Sequence, residues 1–394
     1  MQPAASLNRL GTESAFEVLA RAETLRRQGR DVVSLAIGQP DLPTPPHIVE
    51  AAVKALRDGH HGYTGATGIL PLRQAIAADL QRRHGVASVD PERIVVVPGG
   101  KVTLFFACLA LVEPGSEVIY PDPGFPIYRS LIDYCGGRAV PLALKAEQDF
   151  AVDPEALAEL ITDKTRLIIL NSPGNPTGGV TGPEATAAIA KLVAAQPQTA
   201  LLSDEIYSRL LYDGAEHRSF LAFPELAEQL ILLDGFSKTF AMTGWRLGYG
   251  LWPERLITGV TRLAINAHSC VNAPTQWAGI AALEGPQDAV TAMRALFDRR
   301  RRLLIAGLRQ IPGLRTAMPG GAFYAFPSVT ETGWSDKALE VALLEEAGLA
   351  TLAGSAFGPA GAGHLRLSYA ASEAAIGQAL ERLAAVVNKK PAAL

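Results

Sequence analysis

A lysine flanked by hydroxyls and followed by an arginine is the most chemically loaded feature of the chain. Within residues 237–248 stand Ser237, Lys238, Thr239, Thr243 and Arg246, with Gly244 and Gly248 among them. The apolar run Leu230-Ile231-Leu232-Leu233 precedes this stretch and Tyr249-Gly250-Leu251-Trp252 follows it, so it reads as a loop between two buried strands. A lysine held there is partly desolvated, which lowers its pKa and frees the amine to form imines with carbonyl compounds. A nearby arginine and serine are groups that hold a phosphate. A reactive amine beside a phosphate clamp suggests pyridoxal 5'-phosphate. A solvated surface loop whose Lys238 and Arg246 do nothing is the other reading of the same residues.

Further candidates lie on other loops. Pro98-Gly99-Gly100-Lys101 turns the apolar strand 93–97 directly into an apolar helix over 102–112. Such a turn aims backbone N–H groups and the positive end of a helix at one point, a general anion site. Phe125 follows the strand 117–120, at the edge where open α/β sheets bind ligands; it can stack on a planar ring or cap the core. The loop Asn171-Ser172-Pro173-Gly174-Asn175-Pro176-Thr177-Gly178-Gly179 is rigid and polar, and ordinary turn chemistry does not need both asparagines. Asp204 ends the apolar strand 200–203 with no cation nearby, so it either caps a following helix or pairs with something basic, such as a protonated ring nitrogen. Tyr63 is placed on an exposed glycine-rich loop, and the adjacent His60 and His61 lack a third ligand at metal-binding spacing.

The elements that must position these groups alternate strand and helix from residue 93 onward, which predicts a mostly parallel sheet covered by helices on both faces. Helices are predicted over 12–28, 47–58, 70–84 (amphipathic, with Pro71 in its first turn), 255–267, 274–283 and 289–309. A strand is predicted over 32–37, followed by a proline-rich connection through Gly38. Arg299, Arg300, Arg301 and Arg302 are read as a solvated helix face rather than a nucleic-acid patch. Beyond residue 314 a smaller α+β pattern takes over, with a strand at 365–369 and a last helix over 372–388. Length, 394 residues, suggests two domains, and 48% hydrophobic against 19% charged residues allows a large core. A net charge of −3 gives no reason to expect nucleic acid or an anionic membrane as partner. Cys108, Cys135 and Cys270 form no disulfide or metal pattern, no signal segment opens the chain, and no stretch is apolar enough to span a bilayer. The expectation is a soluble, unprocessed cytoplasmic protein without a metal.

Taken together and in this order, Gly38-Gln39-Pro40-Asp41, Tyr63, Gly99-Gly100-Lys101, the asparagine–proline loop, Asp204-Glu205-Ile206-Tyr207, the lysine stretch and Arg366-Leu367-Ser368-Tyr369 resemble the class I/II aminotransferases of fold type I, in particular their aspartate aminotransferase subgroup. The resemblance implies an α/β fold: a large domain over 47–288 with a mostly parallel seven-stranded sheet, and a smaller α+β domain built from 1–46 and 289–394. It implies that Lys238 forms the imine with pyridoxal 5'-phosphate and shuttles the proton, that Asp204 pairs with the ring nitrogen, and that Tyr207 and Asn175 bond the ring's phenolic oxygen. Phe125 would stack on the ring, while Ser237, Arg246 and the amides of Gly100 and Lys101 would hold the phosphate. Tyr63 would reach the neighbouring subunit's cofactor, which implies a homodimer with shared sites. Arg366, helped by Asn175 and the backbone at Gly38, would grip the substrate α-carboxylate, and the reaction would pass amino groups from an amino acid to a 2-oxo acid. Lys101 matches the lysine that engages a distal carboxylate, favouring aspartate, whereas Phe16 on the first helix would favour apolar or aromatic donors and Glu17 either a basic donor or only solvent. A lyase on the same fold is a second reading. A non-catalytic ligand sensor is a third, and it would need an attached DNA-binding domain that residues before 30 do not provide.

Overall fold

The fold is described by a computed structural model for residues 1–389; residues 390–394, the end of the segment assigned above to the smaller unit, lie outside the described residues. In chain order the elements are α1 (Ser14–Arg27), β1 (Val33–Ser34), α2 (Pro46–Arg57), α3 (Leu70–His84), β2 (Ile94–Val97), α4 (Lys101–Leu111), β3 (Glu117–Asp122), α5 (Ile127–Cys135), β4 (Arg138–Ala143), α6 (Pro154–Leu160), β5 (Thr165–Asn171), α7 (Pro183–Ala194) and β6 (Ala200–Asp204). There follow β7 (Leu230–Gly235), β8 (Gly248–Leu251), α8 (Glu254–His268), α9 (Ala273–Glu284), α10 (Asp288–Leu308), β9 (Tyr324–Ala325), α11 (Asp336–Ala347), β10 (Leu349–Ala350), β11 (Leu352–Ala353), β12 (Leu365–Ser368) and α12 (Glu373–Val387), with short 3₁₀ turns between.

Seven strands form one sheet in the order β2-β8-β7-β6-β5-β3-β4. Only β8 runs against its neighbours, pairing antiparallel with both β2 and β7. The strands are apolar almost throughout because helices cover both faces. Alternation shows in where each side chain goes: Ile94 and Val96 join one buried cluster with Leu72 and Ile76 of α3, while Val95 and Val97 join another with Leu104 of α4 and Val260 of α8. A third cluster gathers Leu304 and Leu308 of α10, Leu343 of α11 and Leu383 of α12 around Tyr324, Leu365 and Leu367. Among the described residues no helix is long and apolar enough to cross a membrane.

The parallel strands point their carboxyl ends one way, and each of β2, β3, β5, β6 and β7 ends just before one of the candidate loops. That edge is where the site forms.

Three readings of the sequence need correction. The strand predicted over 32–37 is confined to Val33–Ser34, paired in parallel with Leu349–Ala350. Beyond it the carbonyls serve the site instead: that of Ala36 accepts from Arg366, and that of Gly38 from Lys238. The arginine run on α10 is not a solvated face, since Arg300 and Arg301 are buried. Arg300 holds Asp41 with bonds of 2.7 and 2.9 Å, and Arg301 donates to the carbonyl of Pro319 and to Asp213 and Asp298. A guanidinium tolerates burial when most of its N–H groups are matched in this way, although Arg300 Nε is left without a partner. Helix α3 is likewise not cleanly amphipathic, because its buried face carries Asp79, which ties down Arg82, Arg83 and Arg209.

Candidate active site

A cavity of about 590 Å³ opens at the carboxyl edge of the large sheet and is bounded on its other side by Arg366, Tyr324 and the loop at Gly38. Its lining includes Gly100, Lys101, Phe125, Asn175, Asp204, Tyr207, Ser237, Lys238, Arg246, Gly38, Arg366 and Phe16. Tyr63 is not among the lining residues; it stands 92% exposed on its loop.

Lys238 follows β7, and its Nζ donates to the carbonyl of Gly38 at 2.5 Å. Burial, followed by the positive charges of Arg366 and Arg246, lowers its pKa from 10.5 to about 8. Burial first, and then the cluster of cations, makes this amine easy to deprotonate. Gly38 must be glycine, because a Cβ there would stand 2.1 Å from the Tyr324 hydroxyl.

The β2–α4 turn and the lysine loop interlock. Gly99 has φ +93°, and a Cβ on it would meet Arg246 Nη2 at 2.0 Å. Arg246 itself has left-handed backbone (φ 54°, ψ 57°), and its Nη1 donates to Thr243 O at 2.6 Å. No side chain caps the start of α4, and Gly100 and Lys101 at that start line the cavity together with Ser237 and Arg246.

On the cavity floor Asp204 is 7% exposed. Burial raises its pKa to about 6, while a 2.8 Å hydrogen bond from Tyr128 and one from the Ile206 amide pull it back down. No helix follows it, so the capping reading reduces to that single turn bond. Asn171 fixes the neighbourhood: its Oδ1 accepts from the Asn175 amide at 2.9 Å and its Nδ2 donates to the Asp204 carbonyl at 2.9 Å. The two asparagines therefore have separate tasks. Asn175 Oδ1 accepts from Arg366 Nη1 at 3.0 Å.

Arg366, 4% exposed, is sandwiched between Tyr324 and Phe357, 4.7 and 4.9 Å from their ring centres. Its Nη2 donates to the Ala36 carbonyl, and its Nε is buried without a protein partner. Tyr207 and Tyr324 share a hydroxyl–hydroxyl bond of 2.8 Å. Phe125 packs edge-on against Tyr128, 5.7 Å between ring centres. Phe16 is 59% exposed at the cavity's border.

Reading the sequence passed over three residues. Tyr128 lies one helical turn beyond Phe125, a spacing that could have drawn attention. Tyr324 sits in the Gly320-Gly321-Ala322-Phe323-Tyr324 segment, inside the smaller α+β pattern that begins beyond residue 314. Glu13 gave no signal at all, yet it lines the cavity and is ion-paired to Lys101. Glu17, the acid singled out on α1, is exposed and not part of the lining. Among the described residues no group of three or more His, Cys, Asp or Glu side chains is placed to bind a metal.

A buried amine, a buried carboxylate and a caged arginine at the carboxyl edge of such a sheet define an enzyme of the fold-type-I α/β architecture. The chain belongs to the aminotransferase class I and II family, whose profile matches residues 30–383. It is 36% identical to an aspartate aminotransferase of Rhizobium meliloti, over 98% of this chain and 97% of that one. It is 38% identical to the arginine–pyruvate transaminase of Pseudomonas aeruginosa, over 94% of each chain. The solved aspartate aminotransferase from Thermus thermophilus with maleate superposes with a TM-score of 0.93 at 38% identity, covering 98% of this chain and 100% of that one. The protein is an aminotransferase.

Proposed function

We propose that the protein uses pyridoxal 5'-phosphate to pass the amino group of an L-amino acid, aspartate being the first donor to test, to a 2-oxo acid such as 2-oxoglutarate in two half-reactions. The observation that carries this reading is the convergence of Lys238, Asp204 and Arg366 on one cavity, each in a different charge environment. The residues present suit the cofactor. An amine near pKa 8 matches an aldehyde; a buried acid held only by a phenol and an amide matches a ring N–H; and Arg246, Ser237 and the start of α4 match a phosphate. When bound, the cofactor supplies an electron sink for the carbanion formed at the substrate Cα.

The chain's own residues do the rest. Arg366 grips the α-carboxylate through its guanidinium and so orients the Cα–H bond toward Lys238. Lys238 Nζ, whose lowered pKa leaves it partly neutral, would be the group that takes that proton and hands it on. Asp204 would hold the ring nitrogen's proton, Tyr207 and Asn175 would bond the phenolic oxygen, and Phe125 would stack on the ring. Lys101 receives a distal carboxylate. Tyr63 serves the site of a second subunit in a homodimer, and the working division is a large domain over 47–288 with a smaller one from 1–46 and 289–394. A cytoplasmic location goes with this reading. The carboxylate of Glu13 in the cavity supports a second donor class, basic amino acids.

Purified protein is expected to be yellow, and borohydride should fix the chromophore covalently on Lys238. Lys238→Ala should keep the cofactor noncovalently and lose transamination by several orders of magnitude. Colourless protein that binds no cofactor, or an unchanged rate in the variant, would refute the proposal.

A further inference from the structure

Glu13 stands at the residue before α1, with extended backbone (φ −96°, ψ 112°), and its carboxylate caps none of that helix's own amides. It reaches across to α4 instead and pairs with Lys101. Its side chain is 14% exposed and that of Lys101 40%, so the acid is the more deeply set partner. Lys101 Nζ also lies 5.2 Å from the centre of the Phe125 ring. All three line the cavity that holds Lys238 and Arg366. The charge of Lys101 is therefore already satisfied by the protein, inside the space a substrate side chain would enter.

We propose that Glu13 is a stand-in for a substrate's distal carboxylate: it neutralises Lys101 while an uncharged side chain occupies the cavity, and must release Lys101 before a dicarboxylic substrate can bind. The inference rests on the reading of Lys101 as the receptor for that carboxylate. Its physical basis is simple. Two carboxylates cannot share one ammonium at contact distance without repulsion, and an ammonium left bare in a partly desolvated cavity would penalise every neutral donor. An internal acid removes the second penalty at the expense of dicarboxylate affinity. An enzyme working by two half-reactions gains from this, because two different side chains must use one cavity in turn.

The position of Glu13 suits such an exchange. Before it, Arg9 is bonded to the carbonyls of Asp133 and Tyr134 and the Gly11 amide to Ser130, all on α5 or its end. After it, Arg21 of α1 is paired with Glu345 on α11. Glu13 thus occupies the link between a segment fastened to the large sheet's helices and a helix fastened to the smaller part, and the Lys101 pair is a contact between them. Its charge reaches the reacting groups as well: it raises the pKa of Lys238 while Lys101 lowers it.

The test uses the cofactor-loaded enzyme with succinate, an unreactive dicarboxylate, as the calorimetric probe, and compares kcat/KM for aspartate and alanine. Glu13→Gln should bind succinate about fivefold more tightly and raise the aspartate-to-alanine ratio of kcat/KM by a similar factor, the scale of one partly exposed ion pair. Lys101→Ala should weaken succinate binding, and adding Glu13→Gln to it should recover only the part caused by the unpaired Glu13 carboxylate, leaving affinity below that of the unsubstituted enzyme. Weakened binding in Lys101→Ala with no gain in Glu13→Gln would overturn the role of Glu13 alone. Unchanged binding in Lys101→Ala would overturn both this inference and the reading of Lys101 beneath it. Loss of activity with arginine or lysine in Glu13→Gln, at unchanged succinate affinity, would show that Glu13 receives basic side chains instead.

Discussion

Lys238 has its ammonium form disfavoured from three sides, by burial and by the charges of Arg366 and Arg246. The pH consequence has a definite sign. A lysine whose pKa falls from 10.5 to about 8 carries an unfavourable charge in the folded state at any pH below 8, and the penalty fades as pH rises from 8 toward 10.5. Cofactor-free protein should therefore gain thermal stability across that interval relative to Lys238→Met. At pH 7 it should hold about two orders of magnitude more neutral amine than an ordinary lysine would. Imine formation with added pyridoxal 5'-phosphate, followed by absorbance, should show a midpoint near pH 8. A midpoint at the ordinary 10.5 would mean that these cations do not act on Lys238 as described.

Elements enter through the turns that hold such residues. The β2–α4 turn shows why glycine is needed at position 99: Gly99 adopts a positive φ, and Arg246 Nη2 occupies the space where its Cβ would be. Gly99→Ala combines a backbone penalty of about 1–2 kcal/mol with displacement of the guanidinium. The variant is expected to fold, to retain Lys238 reactivity, and to hold the phosphorylated cofactor at least tenfold more weakly in equilibrium dialysis, whereas its affinity for unphosphorylated pyridoxal should change little. Equal losses for both would argue against a phosphate role for this turn. Helix α10 teaches the converse lesson about charge. Its four consecutive arginines divide between solvent and interior because Asp41, Asp213 and Asp298, distant in sequence or on the helix itself, were available to match the inner pair.

At the scale of the molecule, Tyr63 is the residue a single chain leaves unused, 92% exposed and off the cavity. If it serves a second subunit, mixing inactive Lys238→Ala with impaired Tyr63→Ala should generate hybrid dimers in which one site carries both wild-type residues, and activity should rise above the sum of the separate variants. No rise on mixing would place Tyr63 outside the partner's site. The sheet, its helices and the loop that bears each candidate could be read from the chain, because apolar runs of strand length and the Gly, Pro and Asn residues that end them are local facts. Lys238, Asp204, Asn175 and Arg246 could be singled out in the same way, whereas Arg366 stood out only through the resemblance to the family. Pairings between distant segments could not: Glu13 with Lys101, Tyr128 with Asp204, Tyr207 with Tyr324 and Arg300 with Asp41 join residues separated by 76 to 259 positions. Sequence alone determined the chemistry the cavity can host, since that depends on residue type and on the strand end each residue follows. Tertiary structure alone decided which charges meet inside it, because an ion pair depends on distance in space and not on distance along the chain.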